Sequence, residues 1–120
     1  MNSFEHVRHR NPIPLAEPRP LVLVIPQLHS NVNLARILRV AGCCGVTRVV
    51  LGGRPKIDAK IARDSLDVLQ LEFHRTIPPC LERLRTEGYP LVGLEQAEGS
   101  KLLHEFSFPK RVALVPVSYT

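Results

Sequence analysis

The sequence predicts an α/β fold built on a mostly parallel sheet with flanking helices, and three observations carry that expectation. Leu21 to Ile25, LVLVI, is a continuous apolar run between Pro20 and Pro26, the pattern of a strand buried on both faces. Residues 34 to 41 then follow a helical period: at about 100° per residue Leu34, Ile37, Leu38 and Ala41 share one stripe, while Arg36 and Arg39 project from the opposite side. Arg48 to Leu51, entered from Thr47 and ended by Gly52-Gly53, is a second buried strand. Strand, helix and strand in that order imply a right-handed crossover and a sheet covered on both faces.

Taken in order, residues 1–19 form a basic, proline-containing arm. Pro12, Pro14, Pro18 and Pro20 remove backbone donors and disfavour helix before each of them. Its Arg8 and Arg10 are candidates to touch phosphate. His6 and His9 have a helical metal spacing but lack further ligands, so no metal is assigned. A domain over residues 20–120 follows. Asn33, a short polar residue just before the periodic run, is the expected N-cap of the helix. Gly42 and Gly45 flank Cys43-Cys44, where the chain leaves the helix for the next strand.

Beyond Gly53, Lys56 to Leu69 is mildly periodic in Ile57, Ile61 and Leu66 and predicts one short helix, with a short strand over Leu69 to His74. Pro78 and Pro79 near its start and Gly88 at its stop frame a helix with Cys80, Leu81 and Leu84 inward. Pro90 to Leu94 is a third apolar strand and Lys110 to Val115 a fourth. Between them Leu102, Leu103 and Phe106 belong to a turn or short helix, and Glu95 and Glu98 are surface carboxylates.

Composition narrows the function. Sixteen Lys and Arg against eleven Asp and Glu, net charge +5, favour a polyanionic partner such as RNA. Aromatic residues are 5% with no Trp, which argues against a single-strand binder that works by stacking bases on exposed rings and leaves recognition to charge and shape. Three cysteines without an apolar secretory segment point to a reducing compartment, and the cytoplasm is the expected location. No run approaches the roughly 18 apolar residues of a membrane span.

The spacing Asn33-Leu34 to Arg39, with Gly45-Val46 in register before a strand and Leu21 to Ile25 upstream, resembles the first motif of the SpoU (TrmH-like) RNA 2′-O-ribose methyltransferases of the SPOUT class. Relatives often carry another Asn three residues earlier, where this chain has Ser30, with Asn31 adjacent. The likeness extends from about Pro20 to Val115. It implies an α/β-knot fold, a homodimer, S-adenosyl-L-methionine as cofactor, tRNA or rRNA as substrate, and Asn33 and Arg39 as catalytic residues. The family's later Gly-x-Glu and Ser-Leu-Asn motifs are not among residues 1–120, which end Pro116, Val117, Ser118, Tyr119, Thr120. The corresponding expectation is a truncated form without the knot-forming part or the cofactor pocket.

Methylation of a ribose 2′-OH needs in-line alignment and a means of making a weakly acidic oxygen nucleophilic. Arg39 cannot act as a base, because guanidinium keeps its proton. Its expected role is to clamp the adjacent phosphate and stabilise the developing alkoxide, with Asn33 orienting it. Arg36, His29 and Ser30 are RNA-contact candidates beside them. A Ser30–His29 nucleophile pair has no acid partner in sight. From the residues alone Asn33 is a cap and Arg39 a solvated arginine, so a non-catalytic RNA-binding fragment is the alternative function. A Rossmann-like nucleotide enzyme is weakened by the absence of a glycine-rich loop after Ile25.

If phosphate contacts lead, RNA binding through the arm and Arg36 falls steeply with salt, because neutralised phosphates release counterions. Titrations at low and high ionic strength check this, and salt-independent binding would count against it.

Overall fold

The computed structural model describes residues 20–95 and 98–116. The arm over residues 1–19, with its candidates Arg8 and Arg10, lies outside them. Five strands, β1 (Leu21–Ile25), β2 (Arg48–Gly52), β3 (Gln70–His74), β4 (Leu91–Leu94) and β5 (Val112–Pro116), form one sheet in the order β3-β2-β1-β5-β4. Every pairing is parallel. The fold class is therefore as the sequence predicts.

Alternation along β1 divides the core. Leu23 and Ile25, with Val49 and Leu51 of β2, pack against α1 (Asn31–Cys43), α2 (Ala59–Ala62) and α3 (Ser65–Val68). Val22 and Val24, with Val50 and Ala113, pack on the opposite face against Cys80 and Leu84 of α4 (Pro78–Thr86). The α1 stripe is largely as expected: Leu34, Leu38 and Ala41 are buried, together with Ala35 and Gly42, and Ile37 is half-buried.

One element expectation needs correction. The single helix over Lys56 to Leu69 is two four-residue helices, because the backbone turns left-handed at Arg63, φ 54°. That break lets Ser65, itself buried, meet α1. Its hydroxyl donates to the Arg39 carbonyl at 2.9 Å, and Gly42 gives it room. A Cβ at Gly42 would overlap the Ser65 side chain and come 2.9 Å from its Cα. The apolar run Pro90 to Leu94 is a strand as expected, but less buried than β1 and β2. It forms β4, an edge strand whose Leu91 and Leu94 are exposed, since among the described residues no strand lies beyond it and β5, later in sequence, takes the inner place.

Charge secures the α4 face. Arg48 of β2 donates to Glu72 of β3 at 2.8 Å and to Glu87, which caps α4, at 3.0 Å. Burial alone would raise the Glu72 pKa, but the hydrogen bond and charge of Arg48 outweigh it and hold the carboxyl below its usual range. The Cys80 thiol on the same face is pushed up by burial.

Gly42→Ala is expected to cost about 2 kcal/mol in denaturant unfolding, as an inserted methyl has to force α1 and α3 apart. Ser65→Ala should cost less, about 1 kcal/mol, since it loses one hydrogen bond and adds no bulk. Equal stability of Gly42→Ala and the parent would show that the two helices do not meet as described.

Candidate functional site at the carboxyl edge of the sheet

In a parallel sheet the loops that leave the carboxyl ends of the strands form the natural binding edge, above all where the strand order reverses. Here the order reverses between β1 and β5. The β1–α1 loop, with His29 and Ser30, leaves from that point.

Ser30, not Asn33, is the N-cap of α1. Its backbone is extended, φ −105° and ψ 115°, and its Oγ accepts the Asn33 N–H at 3.2 Å. The helix therefore begins at Asn31, one turn earlier than the apolar period signals, because a first turn needs a cap but no apolar residue. Asn33 sits in that first turn, half-buried, with its side chain spared the capping duty. His29, Arg36 and Arg39 are exposed.

Helix geometry relates these residues to one another. Asn33, Arg36 and Arg39 lie three apart, neighbours in one inclined row across the outer surface of α1. Asn33 and Arg39 are separated by about 9 Å along the axis and about 120° around it. The structure brings Ser30 to Asn33 and sets Arg36 between Asn33 and Arg39. It does not converge Asn33 and Arg39 on one atom. Arg39 is anchored through its carbonyl by Ser65, which leaves the guanidinium in solvent.

Beside α1, on the same sheet face, lies a cleft of about 1040 Å³ at the carboxyl ends of β4 and β5. Val92, Leu94, Leu114 and Pro116 form its floor, and Leu102, Leu103, Phe106 and Phe108 of the β4–β5 connection its wall. Glu95, Ser100 and Lys101 supply its polar groups. Sequence reasoning did not assign this cleft, because its floor and wall come from segments about ten residues apart whose apolar side chains resemble ordinary core.

A family model for SpoU rRNA methylases matches residues 20–115. The chain belongs to that family. The fold agrees with a crystal structure of the A. aeolicus TrmH/SpoU tRNA modifying enzyme, TM-score 0.76 at 19% identity, over 84% of this chain and 54% of that one. The chain thus spans about half the length of that SpoU structure. No curated protein matches it. Asn33 and Arg39 fall on the outer row of α1, next to the reversal point of the sheet. Among the described residues no helix is long and apolar enough to cross a membrane, and no group of three or more His, Cys, Asp or Glu is placed to hold a metal.

Ser30→Ala should destabilise the chain by about 1 kcal/mol through loss of the cap, whereas Asn33→Ala should change stability by less than half of that. Thermal or denaturant unfolding of the two variants checks the assignment. The reverse ranking would return the cap to Asn33.

Proposed function

We propose that this chain is part of an S-adenosylmethionine-dependent methyltransferase that modifies a ribose 2′-OH of tRNA or rRNA. The observation that carries the proposal is the outer row of α1 in a SpoU-family chain, with Asn33 in the capped first turn and Arg36 and Arg39 following it into solvent.

Arg36 and Arg39 suit a run of phosphates, since they are permanently charged and present planar donor forks. Arg39 holds the phosphate next to the target ribose and stabilises the alkoxide as the 2′-OH loses its proton. It accepts no proton itself, so the phosphate or water takes it. Asn33 positions the ribose by donating and accepting hydrogen bonds. Because Asn33 and Arg39 are about 9 Å apart along the helix, they engage successive groups of the RNA. His29, exposed on the preceding loop, and the Ser30 hydroxyl border the same substrate.

The cleft at the ends of β4 and β5 fits the cofactor's chemistry. Its apolar floor and wall suit an adenine, and Glu95, Ser100 and Lys101 suit ribose hydroxyls and the charged amino-acid end. The bound cofactor would supply a methyl made electrophilic by the sulfonium. This reading departs from the expectation, drawn from the missing later motifs, that the chain holds no cofactor-binding residues. Pairing of two copies, as the family resemblance implies, belongs to the same proposal.

In the protein that carries this chain, Arg39→Ala should lower methyl transfer to RNA by about 100-fold or more while leaving cofactor affinity within about twofold. Labelled methyl incorporation gives the rate, and calorimetry gives the affinity. A product that resists alkaline cleavage at the modified nucleotide identifies the 2′-oxygen. Equal turnover of mutant and parent removes Arg39 from the site, and RNA binding without any transfer supports the non-catalytic alternative.

A further inference from the structure

Resting on the RNA reading, a second contact region stands at the β3 side of the same sheet edge. The chain has four Phe, two Tyr and no Trp. Phe106 and Phe108 meet edge to face at 4.9 Å, and Tyr89 lies beneath Arg111 at 4.6 Å. Phe73 is placed differently. It pairs in register with Leu51 on the edge strand β3, so it stands on the α1 side of the sheet, yet 40% of it remains exposed.

One cation stands near the ring. The Arg54 guanidinium lies 5.9 Å from its centroid, at the outer limit of cation–π attraction, so it is held loosely. Lys56 and Arg75 are exposed on the same two loops, residues 53–58 and 75–77, in which Asp58 is the one carboxylate. Asp58 is engaged by the Lys60 N–H at the start of α2. The loops are tied into one edge: the Gly53 N–H donates to the His74 carbonyl at 2.7 Å, and Gly52 lies close against Ile77 and Gln27. A half-exposed ring with an arginine beside it, on a sheet edge that carries further exposed cations, is the chemistry that takes an unpaired base and its phosphate.

We propose that Phe73 and Arg54 form a stacking platform for an unpaired RNA base that flanks the nucleotide held at the first turn of α1. The base lies on the Phe73 ring, and Arg54 swings to the base or to its phosphate. Strands β1 and β3 are two spacings apart, about 10 Å, a gap that a short stretch of single strand bridges.

Because the chain lacks Trp, Phe73→Trp places a single fluorophore at the platform. Titration with a fluorescein-labelled single-stranded oligoadenylate should quench its emission, and a duplex of the same length should not. Phe73→Leu should weaken single-strand binding about tenfold, Phe73→Tyr should retain it, and neither should change duplex binding. Arg54→Gln should reduce the salt slope by about one phosphate contact. Binding seen by anisotropy with unquenched Trp and an unaffected Phe73→Leu overturns the platform and leaves the RNA reading standing; the ring is then merely shielded by Arg54 or serves a protein. Failure of the parent chain to bind any RNA overturns both.

Discussion

Burial of β1 from both sides is the constraint on which the rest of the structure depends. Val22 and Val24 face α4, while Leu23 and Ile25 face α1, and β2 and β5 close the two edges. Each such side chain contributes about 1.5–3 kcal/mol when fully withdrawn from water. The strand consequently has no free edge and no free face. At its carboxyl end the reversal of strand order leaves room, and the loop that emerges there carries His29 and Ser30 to the candidate site.

From that exit, α1 is held at both ends by polar contacts, while its apolar stripe holds the middle. Ser30 satisfies a backbone donor at the start, and Ser65 fills the space that Gly42 leaves near the end. These contacts use the inner side and the backbone of the helix. Asn33, Arg36 and Arg39 are therefore displayed on a rigid element without being needed to stabilise it, a separation that suits residues engaged in function.

The two halves of the sheet differ in how completely they are covered. On the α1 side, three helices cover β1, β2 and β3, apart from the exposed ring of Phe73. On the same side Leu114 of β5 still packs against the α1 core, whereas β4 and the end of β5 face the β4–β5 connection, with its short 3-10 turn at Leu103–Glu105. Leu102 and Leu103 are more than half exposed there. Incomplete covering opens the cleft and distinguishes its lining from a core made of the same residue types.

The sequence by itself determined the fold class, the buried strands over Leu21 to Ile25 and Arg48 to Leu51, and the inward stripe of α1. Each of these is written in local periodicity or fixed spacing within about thirty residues. Only the tertiary structure decided that Ser30 caps the helix, that the chain turns at Arg63, that β4 lies at the edge, and that Phe73 stands exposed beside Arg54. Periodicity shows which side of an element seeks burial; which neighbour arrives, and whether it covers the whole of that side, depends on the order of strands in the sheet.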